Sequence, residues 1–259
     1  MRWIVVTVLM VGLLGCAQQR YEDGQASLEL DRLRLQAGQF DMDLLRQPTA
    51  ATKHLRLYIE ADLSGWFNGR YQPRKELGYW LFRADRAAYY AVYPCASRWA
   101  TGCDSSFRGE QRFSTELAEA VGRMLAQLKQ QTGGQSLEVV AIGDAAALML
   151  KVAAVSGQID HLHTINGTLS PTIWARQTGR EPPPSSDPLI YHRRLAALAQ
   201  THWIAGQLAS SQEAMAQAYK KAFPGDNCVR LRVVSDVHSQ ADWLRLWPGL
   251  LNDRFYCAG

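Results

Sequence analysis

The sequence predicts an α/β protein, a mostly parallel sheet covered on both faces by helices. Two observations carry this. The apolar period switches repeatedly between two and about 3.6 residues along the chain, giving strand and helix in alternation. In the middle, "LEVVAIG" (Leu137 to Gly143) is a short continuous apolar run of the kind buried on both faces of a parallel sheet, and it lies between two helical patterns.

The elements follow in order. "RLRLQAGQFDMDLL" alternates at Leu33 and Leu35, turns near Ala37-Gly38, and alternates again through Phe40, Met42 and Leu44, which reads as a β-hairpin. "HLRLYIEADL" places Leu55, Leu57 and Ile59 on one face of a strand, and "AAYYAVYPC" is another strand. "STELAEAVGRMLAQLKQQTGG" has a helix start at Ser114, a carboxylate in the first turn at Glu116, and a stop at Gly133-Gly134. After "LEVVAIG", the helix "AAALMLKVAAVSG" closes on Gly157. The unit then repeats as strand "IDHLHTING", helix around "LIYHRRLAALAQ", strand "THWIAGQL", helix "SQEAMAQAYKKAF", strand "VRLRVVSDVH" and a last helix around "ADWLRLWPGLL". "REPPPSSDP" is a loop on proline content.

The beginning of the chain points to a compartment. Met1 and Arg2 precede an apolar run from Trp3 to Leu14 that is too short to span a bilayer comfortably and suits the h-region of a signal peptide. "LLGC" (Leu13 to Cys16) resembles the bacterial lipobox, in which the thiol of Cys16 takes a diacylglycerol after cleavage. The resemblance implies a signal peptide over 1–15, a lipidated N-terminus and linker over 16–27, and one domain over 28–259. With Ala17 rather than aspartate after the cysteine, it implies the periplasmic face of the outer membrane. Cys95, Cys103, Cys228 and Cys257 are an even number of further cysteines in a chain bound for an oxidising compartment. Cys95 and Cys103 flank one short loop, while Cys228 precedes the last strand and Cys257 follows the last helix, so the expected pairs are Cys95 with Cys103 and Cys228 with Cys257. The spacings are not those of paired zinc knuckles, and no metal or cofactor is expected. His161 and His163 share a strand face without an identifiable third ligand.

The net charge is +4, but the basic residues are dispersed, among them Arg32, Arg34, Arg56, Arg193, Arg194, Arg230 and Arg232. No polybasic tract marks a nucleic-acid surface. The mature chain is rich in tryptophan (Trp66, Trp80, Trp99, Trp174, Trp203, Trp243, Trp247), read here as core and loop packing with some lining a residual pocket.

Six short motifs occur in order: "YIEADLSGW" (Tyr58 to Trp66), "YPC" (Tyr93 to Cys95), "RFS" (Arg112 to Ser114), "GDAAA" (Gly143 to Ala147), "TINGTLS" (Thr164 to Ser170) and "VHSQADW" (Val237 to Trp243). Together with the order of elements, they resemble the α/β-hydrolase fold. More narrowly, they are similar to a bacterial group of secreted α/β-hydrolase-like lipoproteins with "YIEGDG...W", "RPC", "RFS", "GxSGGG" and "TxAGNLD" at corresponding places. Small residues must flank the nucleophile of such an elbow because its backbone is strained between strand and helix. Reading Gly143-Asp144-Ala145-Ala146-Ala147 as the elbow puts Ala145 at the nucleophile position. By the same resemblance the acid falls on Leu208 and the histidine on His238, so the triad is degenerate. Asp144 is the alternative nucleophile, as in hydrolases that use a carboxylate. The oxyanion turn becomes Glu60-Ala61-Asp62-Leu63, and Asp62, Leu63 and Asp144 are the expected lining of a residual pocket.

Two functions follow as expectations: a non-catalytic binding or assembly lipoprotein, with a membrane contact through its anchor and a protein or small-molecule partner, or a divergent hydrolase of an ester or related bond. Because lipidation needs the thiol at the new N-terminus, Cys16→Ser is expected to leave the protein soluble or unprocessed while wild type fractionates with the outer membrane. Equal fractionation of the two forms would refute the lipobox reading.

Overall fold

The computed structural model describes residues 30–50, 53–61, 77–95, 103–108, 111–179, 181, 187–206, 209–225, 228–252 and 257. An eight-stranded sheet runs in the order β1-β2-β4-β3-β5-β6-β7-β8. The strands are β1 (Asp31–Ala37), β2 (Phe40–Arg46), β3 (His54–Ala61), β4 (Tyr89–Val92), β5 (Ser136–Gly143), β6 (His161–Ile165), β7 (Ala199–Ala205) and β8 (Val229–Val234). The expected hairpin is present: β1 and β2 pair antiparallel across a turn at Gly38 and Gln39, β2 pairs antiparallel with β4, and the remaining neighbours are parallel.

The helices are α1 (Leu77–Ala84), α2 (Thr115–Thr132), α3 (Ala145–Ser156), α4 (Pro171–Gln177), α5 (Ala209–Lys220) and α6 (Gln240–Leu251). α2 begins and ends where its signals predict. The Ser114 hydroxyl accepts from Leu117 N–H, an interaction worth about 1 kcal/mol, and Gly133 closes the helix in the left-handed conformation. Two stretches differ from expectation. "LIYHRRLAALAQ" is not one helix: Pro188–Tyr191 is a 3₁₀ turn, His192–Leu195 is a single helical turn, and the chain enters β7 at Ala199. The helix of that crossover is α4, capped by Ser170 and opened by Pro171, whose ring suits a first helical turn. α1, between β3 and β4, is an element the periodicity reading passed over.

Alternation along the strands divides the core. Leu57, Ile59, Val139 and Ala141 face one layer with α2, α3 and α5. Tyr58, Val140, Ile165 and Trp203 face the other with α1 and α6. α3 is buried on every side from Ala145 to Ala154, which accounts for its unbroken apolar sequence. Its one cation, Lys151, is fully buried, donates to the carbonyl of Phe113 at 2.8 Å, and has its pKa lowered by burial to about 8. Both expected disulfides form, Cys95 with Cys103 and Cys228 with Cys257. Among the described residues no helix is long and apolar enough to cross a membrane.

Beneath α1 and α6 a polar chain crosses the sheet near the start of its parallel strands. Trp247 Nε1 donates to Tyr58 Oη (2.9 Å), Tyr58 donates to Asp85 (3.0 Å), and Arg56 bridges Asp85 (2.7 Å) and Glu138 (3.0 Å). Glu138 meets His163 Nε2 at 2.7 Å, and Trp203 Nε1 donates to His163 Nδ1 at 3.3 Å. An indole N–H can only donate, so Nδ1 accepts and the His163 proton lies on Nε2, toward Glu138. The chain ties α6, the turn after α1 and four strands into one unit, with every charge partnered, as burial requires. On the opposite face His202 is buried, with Thr164 Oγ1 2.9 Å from its Nδ1, and burial lowers its pKa to about 3, so it is neutral.

Burial alone would raise the Glu138 carboxyl, but the hydrogen bond from His163 and the Arg56 guanidinium outweigh it and hold the pKa at about 2. The unfolded chain, with a glutamate near 4.3, binds more protons between those values, so the stability from this group is complete above about pH 4.5 and is lost as pH falls toward 2. Wild type should therefore show an acid-dependent fall in its urea midpoint across that window. Glu138→Gln should be less stable at pH 7, on the order of 3–5 kcal/mol, with a flatter acid limb. An unchanged slope would remove Glu138 from this role.

Candidate functional site

In open parallel sheets, ligands meet the carboxyl ends of the strands where the strand order reverses. Here the chain leaves β3 toward β4 on one side and returns to β5 on the other, so the strand order reverses between β3 and β5, whose ends meet at the register pair Ala61 and Gly143. The strand-to-helix turn is Ile142-Gly143-Asp144-Ala145. Its left-handed residue is Gly143 (φ 62°), while Asp144 is right-handed (φ −71°, ψ −16°) and Ala145 is the first residue of α3, fully buried.

The register expected from the residues put Ala145 at the nucleophile position, which is here the first residue of α3. The residue of positive φ is Gly143, two residues before Ala145, and the small residues two before and two after it are Ala141 and Ala145. Gly143 brings no side chain to the crevice, and the turn is built so that none fits. A Cβ on Gly143 would lie 2.7 Å from the Ala61 carbonyl oxygen, closer than real Cβ atoms come to backbone. The N–H that follows the apex, which in hydrolase elbows faces the oxyanion, belongs to Asp144 and donates to that same Ala61 oxygen at 3.0 Å. One carbonyl therefore occupies both places.

The other flank is closed by the loop after β6. Thr168 N–H donates to the Gly143 carbonyl (3.1 Å), and Thr168 Oγ1 donates to Asp144 Oδ1 (2.6 Å). The loop is aimed by Asn166, left-handed at φ 47°, whose N–H donates to Trp203 O (2.9 Å) and whose Oδ1 accepts from Ala205 N–H (2.9 Å). Asp144 is thus half-buried, held by a hydroxyl and a backbone bond. Its charge also reaches Tyr93, whose pKa is pushed up first by burial and then by that carboxylate. At the end of β3, Glu60 turns to the opposite layer and accepts from Gly78 N–H at 2.6 Å, anchoring the first turn of α1.

His238 follows β8 and is exposed. Its backbone N–H donates to Asp242 Oδ2 (3.0 Å), beside Ser239, the N-cap of α6, and these hydrogen bonds hold the Asp242 carboxyl at about 2. The segment around His238 is therefore organised by the start of a helix. Leu208, Asp62, Leu63 and Cys16 lie outside the described residues. His161 and His163 stack with ring centroids 4.1 Å apart and planes 22° from parallel, so their nitrogens do not converge on one point. Among the described residues, no three His, Cys, Asp or Glu side chains are grouped to hold a metal. Sequence reasoning had Gly143, Ala61 and Thr168 within its motifs but missed the contacts among them. The Asn166-Gly167 pair was the available signal for those of Thr168.

No family model matches the chain, and no curated protein matches it in sequence. Solved structures do resemble it in fold. Dienelactone hydrolase from Anabaena variabilis superposes with a TM-score of 0.59 at 9% identity, over 88% of this chain and 99% of that one. An α/β serine hydrolase without a lid from Xanthomonas campestris gives 0.55 at 12% identity, over 86% and 94%. Est1E from Butyrivibrio proteoclasticus gives 0.56 at 12% identity, over 86% and 96%. The fold is that of the α/β hydrolases.

The closure of the turn can be measured against a control. Gly157, which ends α3, is also left-handed (φ 64°) but has nothing within 4 Å of a built Cβ. Gly157→Ala should cost only the dihedral term, on the order of 1–2 kcal/mol. Gly143→Ala should cost distinctly more, because the Ala61 carbonyl must also move. Equal losses in denaturant unfolding would mean that the crevice has room at Gly143.

Proposed function

We propose that this protein is a lipoprotein of the outer membrane in which an α/β-hydrolase fold serves binding or assembly rather than acyl transfer. The observation that carries the reading is the double use of the Ala61 carbonyl, which excludes a side chain at the apex and engages the Asp144 N–H. A hydrolase needs both of those places free, one for a nucleophile and one for the developing oxyanion. The anchor rests on the lipobox-like "LLGC", and the disulfides agree with an oxidising compartment.

A divergent hydrolase would have to draw on Asp144, which stands at the reversal of strand order. Against it, the carboxylate is committed to Thr168, and the residue lacks the strained backbone that presents a nucleophile.

On this reading wild type is not labelled by a serine-directed fluorophosphonate and does not hydrolyse short acyl esters above buffer. Gly143→Ser, unlike a restored active site, should stay unlabelled and lose stability, because its side chain meets the Ala61 oxygen. Ester hydrolysis by wild type that disappears in Asp144→Asn would overturn the proposal and make Asp144 the nucleophile. Labelling of the wild type would overturn it in favour of an active serine.

A further inference from the structure

The described residues begin at Leu30. Leu30 is partly buried against the same aromatic layer on which Leu77 and Tyr79 of α1 pack. The next residue, Asp31, pairs with Arg46. Gln47, adjacent to Arg46, donates to the carbonyl of Phe82 in α1 at 3.1 Å, and the Thr49 hydroxyl donates to the carbonyl of Arg86, just past that helix, at 2.7 Å. Leu30 therefore stands next to a segment, Gln47 to Thr49, that is bonded to the C-terminal end of α1.

That helix carries Trp80, an exposed indole at 44% of its full accessible surface, with its ring centroid 6.0 Å from that of Tyr79. Arg83 lies in the last turn of the helix and the exposed Arg86 just beyond it. A single exposed tryptophan is ordinary on a protein surface. What distinguishes this one is its helix, whose C-terminal end is bonded to the segment beside Leu30 and which carries Arg83 one turn beyond Trp80, with Arg86 following.

We propose that the face of α1 bearing Trp80 rests on the bilayer that holds the anchor, with the indole at headgroup level and Arg83 and Arg86 toward lipid phosphates. The proposal rests on the lipid-anchored reading above. Acyl chains on Cys16 would leave residues 17–29 between membrane and domain, a span of at most about 45 Å when fully extended. A tether of that reach keeps the domain at high effective concentration near the surface, so a contact too weak to recruit a free protein is still populated. Indole rings favour the membrane interface because one edge is apolar and the N–H remains hydrated. With α1 against the lipid, a tether entering at Leu30 would start on the same face of the sheet as the helix.

The test uses the full-length protein reconstituted into vesicles of phosphatidylethanolamine with a minor phosphatidylglycerol fraction, prepared with either plain acyl chains or chains brominated near the headgroup. Brominated lipid should quench part of the tryptophan emission of wild type, and most of that quenching should disappear in Trp80→Phe, with unchanged circular dichroism. Mass analysis of the N-terminal peptide is read on the same sample. If Cys16 carries no acyl chains and the protein stays in solution, the anchor reading fails. If the protein is acylated and vesicle-bound but wild type and Trp80→Phe are quenched equally, or neither is quenched, the anchor stands and the docking face is wrong, as it would be if another part of this chain or a second copy covered Trp80.

Discussion

One hydrogen bond, from Asp144 N–H to the Ala61 carbonyl at 3.0 Å, sets the character of the site. It joins the ends of the two strands between which an open parallel sheet ordinarily admits a ligand. Because the same oxygen stands 2.7 Å from where a Gly143 Cβ would be, the bond and the absence of a side chain depend on one another. A larger residue at 143 would push the carbonyl away and break the bond. With glycine, the left-handed turn closes onto its neighbour strand, and the group that could have faced an oxyanion is satisfied within the fold. Thr168 completes the closure from the β6 side, so both strands flanking β5 are stitched to its end.

The remainder of the molecule supports this as a rigid arrangement. α3 leaves the turn surrounded by apolar layers, and its only cation is spent on a backbone carbonyl of the segment that starts α2. On the opposite layer, the chain of hydrogen bonds from Trp247 through Tyr58, Asp85, Arg56 and Glu138 to His163 binds α6 and the α1 turn to the sheet with its charges paired. Such a network contributes modest net stability and fixes which partners meet, since misplacing any member leaves a buried charge uncompensated. α1 belongs to both regions: Glu60 anchors its first turn from the end of β3, and Gln47 holds its last turn near Leu30. The end of β3, paired with that of β5, is thereby connected through α1 to the side of the sheet on which Leu30 lies.

The sequence made the sheet legible because strand periodicity survives burial. Leu33, Leu35, Phe40, Met42 and Leu44 mark the hairpin, and the run from Leu137 marks the central strand. Helix limits were legible where a capping side chain or a left-handed glycine marks them, at Ser114 and Gly133. The crossover after β6 was misplaced because "LIYHRRLAALAQ" has helix-like spacing, yet Ala199 and Gln200 are taken into β7 by pairing with His161 and Leu162, a tertiary preference that local pattern does not contain. The Ser170-Pro171 start of α4 was present in the sequence and carries a physical signal. The elbow was ambiguous for a different reason: small residues stand at 141, 143, 145, 146 and 147, so more than one register satisfies the requirement for small neighbours. Only the backbone dihedrals distinguish them, and no sequence pattern reports that the Ala61 carbonyl lies across the turn.

The most direct test of the closed turn is the hydrogen-exchange rate of the Asp144 amide. If its N–H is held by Ala61 within a rigid sheet, it should exchange as slowly as interior amides of β5 such as Val140 and Ala141, opening only when the sheet opens. Exchange at the rate of an exposed loop amide, with Val140 and Ala141 still protected, would show the N–H to be available in the native state and would contradict the account.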